Sequence, residues 1–368
     1  MKNINRLTIN LKNIEENISR IKQFTKNTPF LLPVKANAYG HGLTNVVRYF
    51  LNNPLIDFYG VANIEEASEI RKYDSEKKIL LFGSPTEKDY EKVVALQIIP
   101  TISTIENHEL YNMFANLYGV HLPPAHIKVE TGMGRNGLTK DQLSEVFKTK
   151  KYKIEGVYTH FATAENFDMS YFLAQKGLFF STVSLLKHQN IDIKYYHCAN
   201  SAATIKDDST HMNLTRVGLA SYGYYETEEL KSLIELKPAL SLSSQIISIK
   251  KFPEGSKISY GATFETSRDS VIGIIPLGYG DGIHRVLSNK LKVMVNGTCV
   301  PVVGTITMDQ MMIDLTDIAS SCKVGTEVAV LSDEKECSVE TMAEKAGTIP
   351  YEITCHLKDD RLTRDFIS

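Results

Sequence analysis

Eight short apolar runs, each followed by a longer amphipathic stretch, constrain this chain more than any other feature. The runs fall at Phe30–Ala36, Phe58–Ala62, Lys78–Gly83, Ile98–Ser103, His126–Thr131, Glu155–His160, Lys194–Ala199 and Leu214–Leu219. Helical spacing appears between them, at Ile64–Tyr73, Glu87–Leu96, Ile105–Tyr118, Lys140–Thr149 and Tyr171–Gln189, and ahead of the first run at Ile14, Ile18, Ile21 and Phe24. Short buried strands alternating with helices make parallel βα units. Eight of them predict an α/β fold, a (β/α)8 TIM barrel, with a doubly wound open sheet as the competing arrangement. The texture changes at Lys237-Pro238. Beyond it the segments Leu242–Lys250, Val271–Pro276, Leu291–Val295, Val300–Thr305, Met311–Leu315 and Glu327–Leu331 are short and glycine-broken, which predicts a mostly antiparallel β domain. The expected division is therefore 1–236 for the barrel and 237–368 for the C-terminal domain.

Several function classes are disfavoured at once. A net charge of −2 with no basic run gives nucleic acid no electrostatic footprint. No apolar stretch is long enough to span a bilayer, and the opening residues lack a signal-peptide core. The five cysteines are odd in number and form no Cys-x-x-Cys pair, which predicts free thiols, a cytoplasmic setting and no metal site.

Barrels place their chemistry at the C-terminal ends of strands. Lys35 stands at the end of Leu31-Leu32-Pro33-Val34, before a glycine-rich turn, where a packed core has no use for an ammonium group. A lysine so placed suits Schiff-base formation with an aldehyde cofactor. Arg135 lies among three glycines after the fifth run, His160 ends the sixth, Asn200 and Ser201 follow the seventh, and Arg216 sits within the eighth. Each has a plainer reading: Arg135 paired with Glu130, Ser201 near a helix start, Arg216 in an internal ion pair. Such residues at five strand ends together indicate a charged ligand. Gly278-Tyr279-Gly280-Asp281-Gly282 lies in the β region, so it does not read as a dinucleotide fingerprint.

These motifs, in order, resemble the bacterial alanine racemases, pyridoxal-phosphate enzymes of the barrel fold type. The resemblance is carried by Val34–Gly42, Thr131–Arg135, Thr159–Ala162, Ala199–Ala203, Arg216–Gly218, Ser259–Gly261, Pro276–Gly282, Gly304–Gln310 and Pro350–Glu352. It implies that Lys35 links covalently to pyridoxal 5'-phosphate. It implies that Tyr39, Asn200, Ser201, Tyr351 and the backbone at Gly218 and Leu219 bind the cofactor, with Arg216 facing the ring nitrogen. Arg135 and the Met308 backbone would hold the substrate carboxylate, near Tyr279. Tyr260, supported by His160, would be the second catalytic base. In the family the sites are shared in a homodimer, with Tyr260, Tyr279 and Met308 coming from the partner, and the first few residues (about eight) join the β domain. The implied activity is interconversion of L- and D-alanine for peptidoglycan; a serine or broad-specificity racemase and a non-catalytic cofactor-binding protein are the alternatives.

The chemistry agrees with these implied roles. Racemisation removes a proton from one face of a carbon and returns one to the other, which two opposed bases do directly. Free tyrosine ionises only near about pH 10, so a tyrosine base needs hydrogen bonds and positive charge around it. An arginine at the ring nitrogen keeps that nitrogen unprotonated and favours racemisation over transamination. The chain departs from the family pattern at Glu130, where aspartate is usual, at Thr307, where cysteine is common, and at Tyr224-Tyr225-Glu226. Lys128 matches a lysine that is carbamylated in some relatives; an ordinary lysine paired with Glu130 is the alternative.

Overall fold

The computed structural model describes residues 4–358 and 360–368. Its first strand, β1 (Arg6–Asn10), runs into a helix at Leu11–Phe24, whose start is capped by the Asn10 side chain accepting from Asn13 N. That helix buries Ile14, Ile18 and Ile21 of the predicted stripe together with Leu11, while Phe24 is exposed. Parallel strands follow: β2 (Phe30–Pro33), β3 (Phe58–Val61), β4 (Lys78–Leu81), β5 (Ile99–Ile102), β6 (Ala125–Lys128), β7 (Ile154–Tyr158), β8 (Tyr195–His197) and β9 (Thr215–Arg216). They pair in sequence from β2 to β8, and β9 pairs with β2. Arg216 N donates to Ala199 O just beyond β8, which draws the two edges of the sheet together as a near-closed barrel. Leu31, Phe58, Leu80, Ile99 and Leu214 form an apolar cluster of their own, apart from the main core. Alternate residues such as Phe30, Leu32, Tyr59 and Ile79 belong to the main core, as the two-residue period of a strand requires.

The C-terminal region is built on β10 (Leu240–Gln245), β11 (Ser248–Phe252), β12 (Lys257–Ile258), β13 (Phe264–Glu265), β14 (Ser270–Ile275), β15 (Lys292–Val295), β16 (Thr298–Pro301), β17 (Met311–Asp314), β18 (Glu327–Leu331) and β19 (Thr363–Ile367). One sheet has the order β16-β15-β18-β10-β1-β19 and another the order β11-β14-β17. β1 is thus a strand of the second sheet system, antiparallel to β10 and parallel to β19. Residues 1–3, which the family resemblance would also add to this region, lie outside the described residues.

One expected strand is corrected. Leu242–Lys250 reads as a single apolar segment, but the chain changes sheets inside it. Ile246 N donates to Thr326 O beside β18, and Ile247 N donates to Ile274 O of β14. The two adjacent isoleucines break the alternation at the crossover. No helix among the described residues is long and apolar enough to cross a membrane.

Candidate active site

Above the apolar layer, the barrel interior turns polar. Arg216 is buried, and its guanidinium donates to His197 Nδ1 at 3.0 Å, Thr159 O at 2.7 Å and Cys198 O at 3.3 Å. Arginine only donates, so His197 Nδ1 is an acceptor and its proton is on Nε2. That nitrogen meets His126 Nδ1 at 3.0 Å. His126 Nε2 then faces Glu155 Oε1 at 3.7 Å, and Lys78 Nζ closes the series on both Glu155 oxygens at 2.9 and 3.0 Å. Gly156 makes room for this arrangement, since a Cβ there would stand 2.5 Å from the His126 ring. Burial pulls both histidines below their ordinary range, and they are neutral links between two fixed charges. Burial works against the Glu155 carboxylate, yet His126 and Lys78 hold it down to about 2. The Arg216 guanidinium also lies 5.1 Å from the Tyr158 ring centroid.

This scaffold fixes one wall of a cavity of about 570 Å3 at the strand ends. Lys35, Tyr39, Lys128, Arg135, His160, Asn200, Ser201, Arg216, Gly218 and Tyr351 all line it. Tyr158, Phe82 and Asn136 line it too, and the sequence alone did not single them out. Leu219 is fully buried behind Gly218 and does not line the space.

Lys35 is presented by a strained turn. Ala36, Asn37, Ala38 and Tyr39 all have φ between 51° and 55°, the left-handed region that costs a non-glycine residue about 1–2 kcal/mol. The surroundings hold it there. Ala36 N donates to Glu66 Oε1 at 2.7 Å, Leu43 N to Asn37 Oδ1 at 2.8 Å, and Arg364 to Gly40 O at 2.6 Å. A Cβ on Gly40 would lie 2.0 Å from Thr354 O, so the turn packs directly on the helix Pro350–His356 that carries Tyr351.

Four cations share the cavity, and the charges of the others disfavour the ammonium forms of its two lysines. Burial, then the Arg135 charge, pulls the Lys35 ammonium below its ordinary range, with Glu66 opposing. Burial, then Arg135 and Arg216, pulls Lys128 down to about 8. His160 is driven well below its usual value by burial and then by Arg216, Arg135, Lys35 and Lys128. Its Nδ1 faces an Arg216 donor at 3.5 Å, so it is a neutral imidazole protonated on Nε2.

Neither plain pairing with Glu130 is present. Glu130 Oε1 accepts from Gly132 N and Gly134 N instead, and these with the Met133 and Arg135 amides hold the carboxyl below its usual range despite burial. Glu130 thus shapes the turn that presents Arg135.

Tyr260, Tyr279 and Met308 lie elsewhere. They are 72%, 42% and 53% exposed and do not line the cavity. Thr305 Oγ1 donates to Tyr260 O at 2.7 Å, Tyr279 N to Thr307 O at 3.0 Å and Gly280 N to Met308 O at 2.9 Å. The three residues are therefore tied together through the backbone at residues 305–308.

With this geometry in place, the comparisons with known proteins are specific. Residues 9–226 match the family "Alanine racemase, N-terminal domain" and residues 239–366 match "Alanine racemase, C-terminal domain". The chain is 40% identical to the alanine racemase of Methanococcus maripaludis, over 94% of each protein. It is 37% identical to alanine racemase 1 of Clostridium acetobutylicum, over 98% of this chain and 94% of that protein. The crystal structure of the Bartonella henselae alanine racemase with covalently bound pyridoxal phosphate superposes with a TM-score of 0.90 at 27% identity, covering 99% of each chain.

Proposed function

The chain belongs to the alanine racemase family, and from that premise we propose that it interconverts L- and D-alanine with Lys35 of one protomer and Tyr260 of its partner as opposed bases. It is an amino-acid racemase, an isomerase of a pyridoxal-phosphate-dependent family. One observation carries the residue-level reading. Lys35 stands in a cavity with three further cations and no carboxylate among the described lining residues, while Tyr260 stands exposed on the β region.

The cavity fits the family's cofactor. It offers positive charge for a phosphate and a lysine whose ammonium form is disfavoured. A Cβ on Gly218 would come 2.5 Å from the Tyr39 hydroxyl, so glycine there lets that hydroxyl close on the backbone lining the cavity. Ser201, Asn200, Tyr39, Tyr351 and the backbone at Gly218 and Leu219 would hold the cofactor. Arg216, an obligate donor, would keep its ring nitrogen unprotonated. When bound, the cofactor supplies an aldehyde for amino groups and a ring that draws electron density from the α-carbon.

The chain's own residues do the rest. Lys35 Nζ, biased to its neutral form, takes and returns the proton on the face that serves the D-enantiomer. Tyr260 Oη serves the L-enantiomer, and the Nε2–H of His160 and the cavity cations favour its ionised form. Arg135 and the Met308 backbone bind the substrate carboxylate, and Tyr279 borders the substrate beside Met308. Because Tyr260, Tyr279 and Met308 lie outside their own chain's cavity, the working unit is a homodimer. Lys128 becomes a carbamate, because a negative charge there relieves three neighbouring cations and its amine is half neutral near pH 8. Incubation with 13C-bicarbonate should give one carbamate carbonyl resonance per chain that is absent from Lys128→Ala; identical spectra would overturn this role. The five free thiols suit a cytoplasmic enzyme, and D-alanine is consumed in building peptidoglycan.

Turnover of single substrates tests the assignment. L-Alanine should be racemised about tenfold or more faster than L-serine, L-lysine or L-arginine. Faster turnover of serine would replace alanine as the substrate.

A further inference from the structure

Glu226 belongs to the segment where this chain departs from the family pattern, and it is partly buried. Its Oε1 accepts from Tyr351 Oη at 2.9 Å. Its Oε2 is buried with no hydrogen-bond partner among the described residues. An ionised carboxylate with one bare oxygen is costly in such a place. Tyr351 lines the cavity, and the proposed function makes it a phosphate ligand. The difficulty is one of counting. A tyrosine hydroxyl has a single proton. While that proton is given to Glu226, Tyr351 has none to give a phosphate oxygen.

We propose that Glu226 is a positioning residue that takes up a proton when the cofactor phosphate binds, donating it to the Tyr351 oxygen so that the Tyr351 proton turns to the phosphate. This rests on the reading of Tyr351 as a phosphate ligand. The proton comes from solvent, no heavy-atom bond changes, and one hydrogen bond reverses direction.

The surroundings are suited to it. Burial raises the Glu226 carboxyl to about 7, against the Tyr351 hydrogen bond, and the Glu165 charge adds to the rise. Burial and then Glu226 push Tyr351 well above its ordinary range, so the tyrosine keeps its proton in either state. Tyr39, 5.5 Å from Tyr351 between ring centroids, is likewise held protonated by burial. Lys206 is engaged by Glu165 O, Asn166 O and Glu229. Glu340 accepts from Tyr225 N, and burial raises its own carboxyl. A phosphate dianion arriving nearby raises Glu226 further and completes its protonation.

The test uses the full-length protein freed of cofactor, with pyridoxine 5'-phosphate as the probe. This compound has the phosphate but no aldehyde, so Lys35 chemistry does not enter. Above pH 7.5 the phosphate is already a dianion. Calorimetry in buffers of different ionisation heat reads protons taken up on binding. Wild type should take up one proton more than Glu226→Gln, whose amide donates to Tyr351 permanently. The wild-type Kd should rise about tenfold more per pH unit than the variant's. Lys128, as amine or carbamate, is common to both proteins and cancels in the difference. Equal proton uptake and equal slopes, with Tyr351→Phe still weakening the probe, would overturn the role of Glu226. No effect of Tyr351→Phe on binding would overturn the phosphate-ligand reading itself.

Discussion

Replacing Lys35 with alanine should lower alanine racemisation about ten-thousand-fold in both directions and remove the protein-linked visible absorbance near neutral pH. The fold should survive the change. The left-handed turn is held by Glu66 on Ala36 N, by Asn37 on Leu43 N and by packing on Thr354, none of which uses the Lys35 side chain. Removing a cation that Arg135 and Arg216 already disfavour leaves no buried charge unpaired. Two measurements check this: the absorbance spectrum before and after borohydride, and the circular-dichroism melting curve. A variant with the wild-type spectrum would rule out the covalent link. A variant that melts far earlier would show that Lys35 matters to the turn itself.

Tyr260→Phe should leave the protein-linked absorbance in place, because Lys35, which makes the covalent link, is untouched. Proton exchange starting from L-alanine should fall about 100- to 10,000-fold, the usual worth of a positioned base. Exchange from D-alanine in a single turnover should fall far less, since Lys35 still removes that proton. Equal losses from both enantiomers would contradict the two-base assignment. Mixing the two variants adds a geometric test. Lys35→Ala and Tyr260→Phe chains that exchange protomers form hybrid dimers in which one site has both bases. Random assembly then restores about a quarter of the wild-type sites, the proportion set by twofold symmetry. No recovery in a mixture shown to contain hybrid dimers would place both bases in one chain.

The barrel was legible in the sequence because its strands are buried on both faces and read as unbroken apolar runs. Lys35 and Arg216 stood out as charges at the end of or within such runs, and Arg135 as a charge among three glycines just after one. The support behind Arg216 was not legible. His126, Glu155 and His197 come from strands far apart in sequence, and each alone has an ordinary structural reading. Only the barrel's closure shows that an acceptor on His197 fixes the proton on its other nitrogen and so orients His126. Glu226 was visible only as a departure from pattern. That its carboxyl meets Tyr351 depends on contact between segments 125 residues apart. The crossover at Ile246-Ile247 failed for a different reason, because two adjacent apolar residues serve two sheets and a period-two reading assigns them to one.

The pairing of β1 with β10 and β19 has a consequence for how the chain is made. Leu7 and Ile9 are fully covered in the finished sheet, yet Arg6 pairs with Ser243 on one side and Thr363 on the other. During synthesis at about 5–20 residues per second, β1 waits roughly 20–70 s between its own appearance and that of its last neighbour. Strands β2 to β8 each find a neighbour within one βα unit and can assemble meanwhile. Birth order and assembly order are therefore opposed: β1 leaves the ribosome before the barrel strands yet is among the last to be enclosed.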